Sequence, residues 1–144
     1  MQTKDWSLRH EILGIPDPKS MTECDCIMFW GDDGRPHWFG GTDAFTGLSV
    51  GAMHTLVELG FLDLNGYTNN SPTAEAFLRF MEKYPMFTAI GYAVHPARQD
   101  ARITIEGIET TAPLNGAALK AFTDFAEEAD EFDAHSSHCR CWWD

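Results

Sequence analysis

Phe87-Thr-Ala-Ile-Gly-Tyr-Ala-Val-His95 is an almost uninterrupted apolar run, and Arg102-Ile-Thr-Ile-Glu-Gly-Ile108 alternates between polar and apolar side chains. The first pattern predicts a central strand that is covered on both faces, and the second predicts a strand with Ile103 and Ile105 turned inward. Because the short loop at residues 96–100 joins the two strands, we expect them to form an antiparallel hairpin in the core of a sheet.

Three other segments indicate strands. Cys24-Asp-Cys-Ile-Met-Phe-Trp30 has the apolar character of a buried strand, and the turn signal Asp-Asp-Gly that follows predicts that His37-Trp-Phe39 returns antiparallel to it. A loop is then predicted from residue 40 to about residue 47. Near the other end, His138-Cys-Arg-Cys-Trp-Trp143 indicates a final strand.

Capping signals indicate three helices after the first hairpin. Ser49 is the predicted N-cap of the first of these helices and Gly60 its left-handed C-terminal residue, whereas Ser71-Pro72 predicts the start of the second. The third is predicted from about Asn115 to Phe132. We expect its inward-facing residues to be Leu119, Phe122, Phe125 or Ala126, Ala129 and Phe132.

These elements predict an α+β fold. Residues 1–20 form an N-terminal lead-in with a short helix over Asp5–Leu13, and residues 21–144 form a single domain. The expected element order in that domain is β-β-α-α-β-β-α-β. About three helices would then pack on an antiparallel or mixed sheet of about four to five strands.

The chain is strongly acidic: 22 acids against ten bases leave a formal net charge of −12 over 144 residues. This charge argues against direct nucleic-acid binding, which depends on an excess of Lys and Arg. No apolar run approaches the roughly 18 residues of a membrane helix, and the first residues lack the apolar core of a signal peptide. We therefore expect a cytoplasmic protein that does not bind membranes.

The cysteines occur in two Cys-x-Cys pairs near the ends of the chain. Residues i and i+2 of a strand share a face, so neighbouring strands would bring four thiols together. Zinc is bound by such soft ligands in a tetrahedral arrangement, although small buried thiols, disulfides or redox chemistry remain alternatives. The candidate zinc ligands are Cys24, Cys26, Cys139 and Cys141, with His135 and His138 as two further candidates.

The predicted third helix ends in a dense group of acids. Its macrodipole favours cations at that end, and like charges four residues apart repel, so the arrangement costs stability. A solubilising face is one interpretation; a surface that receives a basic protein is the other. The candidate partner-binding residues are Asp124, Glu127, Glu128, Asp130, Glu131 and Asp133.

Two hypotheses of different classes follow. The first is a small acidic, non-enzymatic module that occupies a basic surface of a partner, as bacterial toxin-neutralising proteins and phage-encoded nuclease inhibitors do. The second is a small zinc-binding protein with a Cys-x-Cys…His-x-x-His-Cys-x-Cys cluster, in a structural or a catalytic role. The sequence contains no Gly-x-Ser-x-Gly and no His-Glu-x-x-His motif of a catalytic site. The binding module is the preferred hypothesis, and the zinc-binding protein is the alternative.

Overall fold

The computed structural model of the protein describes residues 5–16, 27–68, 70–135 and 137–144. Four helices and seven strands lie in these ranges. In chain order they are α1 (Trp6–Leu13), β1 (Ile27–Trp30), β2 (Pro36–Phe39), β3 (Thr42–Leu48), α2 (Val50–Glu58), α3 (Ala74–Lys83), β4 (Thr88–Val94), β5 (Ile103–Thr110), α4 (Gly116–Phe125), β6 (Glu131–His135) and β7 (His138–Trp142).

The main sheet has five strands in the order β3-β4-β5-β7-β6, and all neighbouring strands are antiparallel. β1 and β2 form a separate two-stranded antiparallel sheet. The predicted central hairpin is confirmed, because β4 pairs with β5 from Thr88 opposite Glu109 to Ala93 opposite Ile103. The α+β class and the antiparallel sheet are therefore those that the sequence predicts.

One face of the sheet carries the hydrophobic core, and we call it the core face. Phe45 of β3, Ile105 and Ile108 of β5, and Cys141 of β7 contribute to it and form one buried cluster with helix side chains. The helix members include Met53 and Leu56 of α2, Phe77, Leu78 and Met81 of α3, and Phe122 of α4. We call the opposite side of the sheet the second face.

Local capping explains where the helices begin. Ser49 caps α2 by accepting a hydrogen bond from the Ala52 amide, and Gly60, with φ of 80°, follows its last turn, as predicted. α3 differs from the prediction: Thr73, not Ser71, is the N-cap, because the Ser71 hydroxyl bonds the Thr68 amide and the Pro72 carbonyl instead. None of the described helices has the length and apolar character that crossing a membrane requires.

Two predictions about the first strands are wrong. β1 is not a buried strand, since Met28 and Phe29 are exposed and Trp30 is 67% exposed. The predicted loop at residues 40–47 is largely strand β3, whose Phe45 and Leu48 are buried on the core face. Pairing with the apolar strand β4 stabilises β3 despite its Gly, Thr and Asp residues, and this long-range pairing leaves little trace in the local sequence.

The third predicted helix is too long. α4 ends at Phe125, and Glu131–His135 is the edge strand β6, paired with β7. Two expected core residues are exposed: Leu119, within α4, by 39% and Phe132, on β6, by 43%. Repulsion among the acids and the unfavourable dipole oppose a longer helix, whereas β7 supplies hydrogen-bonding partners for a strand.

Candidate protein-binding surface

The six candidate partner-binding acids lie within one stretch, residues 124–133, which we call the acidic segment. Asp124 is in the last turn of α4, Glu127 and Glu128 follow the helix, and Asp130 precedes β6. Glu131 and Asp133 belong to β6. All six are exposed, and the segment contains no Lys or Arg, so it carries half of the net charge of the chain.

The acidic segment is therefore not the outer face of one helix, as the sequence predicted, but a helix end, a turn and an edge strand. Phe132 stacks on Phe122 of α4 with ring centroids 5.3 Å apart, which places it on the core side. Glu131 and Asp133 alternate with Phe132 and point to the second face. Their cross-strand neighbours there are Trp142 and Arg140.

Few of these carboxylates have an internal partner. Lys120 Nζ lies 2.9 Å from Asp124 Oδ2, and Asp130 Oδ2 accepts a hydrogen bond of 2.7 Å from the Asp144 amide. Within the described residues, no ion pair or side-chain hydrogen bond involves the other four acids. These four are Glu127, Glu128, Glu131 and Asp133.

A groove borders the first half of the acidic segment. It has a volume of about 310 Å³ and lies between the end of α4 and residues 70–72. Asp124, Glu127 and Glu128 line one side of it, and Trp143 contributes to its wall. The groove is shallow, and the three carboxylates beside it are exposed.

The second half of the acidic segment is a sheet edge. In the described part of the chain, β6 has β7 as a neighbour on one side and no strand on the other. Every residue of β6 is exposed. An edge strand presents backbone N–H and C=O groups that another strand can pair with. Its charged side chains oppose pairing with a strand of like charge.

The candidate zinc ligands do not converge within the described residues. Cys139 and Cys141 are buried in the core cluster, and burial raises the pKa of the Cys141 thiol to about 12. His138 precedes Cys139 on β7 and points the other way, where its Nε2 lies 3.6 Å from Glu109.

His135 is opposite His138 in the β6–β7 register and is exposed. No group of three or more potential metal ligands is found in the part of the chain that the structure describes. Cys24 and Cys26 lie outside the described residues. The zinc hypothesis therefore depends on those two cysteines.

One group that the sequence analysis missed lies on the second face. The guanidinium of Arg140 is over the Trp142 ring, 3.6 Å from its centroid, and Arg140 Nε is 3.7 Å from Glu109 Oε2. Glu106 and Asp144 line the same region. Alternation in Cys139-Arg-Cys-Trp142 could have placed Arg140 and Trp142 together, but the position of Glu106 depends on strand pairing.

A second missed group lies on the buried side of α1. Arg9 and His10 are 0% and 1% exposed, and Arg9 Nη2 lies 2.7 Å from His10 Nε2. Burial lowers the pKa of Arg9 to about 10 and also lowers the pKa of His10. Arg9 donates a hydrogen bond to the Val94 carbonyl, and this bond links α1 to β4. This role is structural, because the pair is closed to solvent.

Comparisons with family models, with curated proteins and with solved structures found no match for this chain.

Proposed function

We propose that this protein is a binding module whose acidic segment receives a basic region of another protein. The observation that carries the proposal is a set of four exposed carboxylates for which the described residues supply no partner. Two of the four lie on a strand edge that no described strand covers. Such a partner would be a toxin or nuclease type of basic protein that the module occupies and inhibits.

The charge of the acidic segment affects both the stability of the free protein and its association with a partner. Unpaired like charges in one segment repel each other in the free protein, and a cationic partner would relieve this repulsion. Concentrated charge also accelerates the encounter with an oppositely charged protein, and the rate falls steeply as salt screens the attraction. We therefore expect the acidic segment to affect association more than dissociation.

The exposed edge of β6 favours a particular binding geometry in addition to the electrostatic attraction. Extended segments can add a strand to an open sheet edge through backbone hydrogen bonds. A second copy of β6 would bring acids opposite acids, which is unfavourable, whereas Lys or Arg opposite Glu131 and Asp133 would be favourable. The half-exposed ring of Phe132 offers an apolar contact on the other side of the strand.

The proposal can be tested with a synthetic peptide of alternating Lys and Val as the probe, and the same peptide with Glu in place of Lys as its counterpart. Binding to the full chain is measured by stopped-flow fluorescence over a salt series. We expect the Lys peptide alone to bind. Replacing backbone N–H groups of the peptide by N-methyl groups should weaken binding, because strand addition needs those donors.

The matched variants carry equal charge changes. Glu127→Gln, Glu128→Gln and Glu131→Gln together should slow association by about tenfold at low salt. The stability of this triple variant should be unchanged or slightly higher, because the three carboxylates have no partner among the described residues. The control triple Glu11→Gln, Asp32→Asn and Glu58→Gln removes three exposed acids elsewhere and should change association much less.

Equal slowing by both triple variants would show that net charge, not the acidic segment, attracts the peptide. A clear loss of stability in the first triple variant would show that its carboxylates hold the fold together. Either result would overturn the proposal.

A further inference from the structure

A pocket of about 290 Å³ lies on the second face, beside the acidic segment. Its apolar lining comes from Ala44 of β3, Ile90 of β4 and Trp142 of β7. Glu106 and Asp144 bring carboxylates to the same pocket. A volume of this size fits one side chain or a small amine rather than a large cofactor.

A β-bulge builds this pocket. In the β4–β5 register Ile90 pairs with Gly107 and Gly91 pairs with Ile105, so Glu106 is the extra residue of β5. Bulges re-aim the side chain of the extra residue, here onto the second face. The Glu106 carbonyl accepts a 2.9 Å hydrogen bond from the Trp143 amide, which holds the segment carrying Asp144 against the bulge.

The pocket has an excess of negative charge. Within the described residues, neither Glu106 nor Asp144 is in an ion pair. Burial and the Asp144 carboxylate both raise the pKa of Glu106, as expected for a carboxylate with unbalanced negative charge nearby. Among the described residues of the lining, Arg140 is the one cation. Its guanidinium lies over the Trp142 ring, and its Nε is 3.7 Å from Glu109 Oε2 without a hydrogen bond.

Among the described residues, one side-chain carboxylate oxygen of Asp144 accepts a hydrogen bond and the other does not. Its Oδ1 accepts a hydrogen bond of 3.1 Å from Trp142 Nε1, and no hydrogen bond to its Oδ2 is found among the described residues. The Asp144 amide donates to Asp130, so the pocket and the acidic segment are joined by a direct contact. Glu131, opposite Trp142, lies next to the pocket on the same face.

We infer that this pocket binds a lysine side chain of the partner, with the ammonium group between Glu106 and Asp144 and the aliphatic stem along Ile90 and Trp142. An ammonium group has three donors and can bond two carboxylates from different segments at once. The apolar lining suits the four-carbon stem, which an inorganic cation lacks. The inference rests on the proposed function and specifies which side chain of the partner the pocket binds.

The test uses the full chain and a free probe, Nα-acetyl-lysine amide. Its uncharged counterpart, Nα-acetyl-norleucine amide, has the same stem without the ammonium group. The readout is the indole N–H resonance of Trp142, assigned by its loss in Trp142→Phe. We expect a saturable shift with the lysine derivative and none with the norleucine derivative.

Glu106→Gln should lower the affinity for the lysine derivative by about tenfold, because one hydrogen bond to a charged group is lost. Glu58→Gln, an exposed acid outside the pocket lining, should leave the affinity unchanged. If Glu106→Gln does not fold, Asp144→Asn provides the same comparison. Three results would overturn the inference. They are wild-type affinity for the lysine derivative in the folded pocket variant, an equal resonance shift with the norleucine derivative, and tighter binding of Nα-acetyl-arginine amide than of the lysine derivative.

The two proposals can fail separately. If the Lys-Val peptide binds wild type and Glu106→Gln equally well, the acidic segment recognises the partner and the pocket does not. If the lysine derivative binds but the peptide does not, the pocket is a cation site and the proposed function is wrong.

Discussion

Replacing His10 by Leu should destabilise the protein and remove part of its pH dependence. The Arg9 guanidinium can only donate, so His10 Nε2 must accept the 2.7 Å hydrogen bond between them. Nδ1 then carries the proton and donates to the Pro16 carbonyl, 2.5 Å away. The native imidazole is therefore neutral.

The magnitude follows from what the substitution leaves behind. Leu fills much of the volume but makes neither hydrogen bond. Arg9 Nη2 keeps its 3.0 Å hydrogen bond to the Val94 carbonyl, so the guanidinium retains a hydrogen-bond acceptor. Two lost hydrogen bonds, one to a charged donor, should cost about 2–4 kcal/mol of unfolding free energy.

The pH dependence has a definite sign. Burial is the largest cause of the lowered His10 pKa, and the nearby Arg9 and His95 lower it further, while Pro16 and Asp43 act in the opposite direction. The unfolded chain therefore takes up this proton at higher pH than the folded protein does. The contribution of His10 is fully present above the ordinary histidine pKa of about 6.5 and is lost as the pH falls below that value.

The assay is urea unfolding of wild type, His10→Leu and the control His135→Leu between about pH 7.5 and 5.5. This range lies above the titration of ordinary carboxylates. Wild type and the control, whose His135 is exposed, should lose stability as the pH falls, whereas His10→Leu should change less. An undiminished pH slope in His10→Leu would refute the assigned protonation state.

Two other predictions concern the core. Ile105→Ala, at a side chain only 4% exposed, should cost about 2–4 kcal/mol, and an unchanged urea midpoint would remove Ile105 from the core. Exposed Thr42→Ala should cost under about 0.5 kcal/mol. Iodoacetamide at about pH 8 should label Cys141 only in denaturant, because burial raises its pKa to about 12; mass mapping that finds native labelling at the denatured rate would contradict this.

Local sequence determined much of the helical and central-strand structure. The Ser49 cap and Gly60 bound one helix, and the apolar run before His95 with the alternation around Ile105 specifies the central hairpin. These signals depend on residues close together in the chain. The net charge and the six acids are also evident without any coordinates.

Tertiary structure decided the rest, because it depends on distant partners. Apolar spacing predicts that a helix continues to Phe132, yet pairing with β7 makes residues 131–135 an edge strand. The pocket beside Glu106 forms where a bulge in β5 meets the segment after β7. A periodic pattern reports which side chains share a face, whereas strand partners are set by the free energy of the whole sheet.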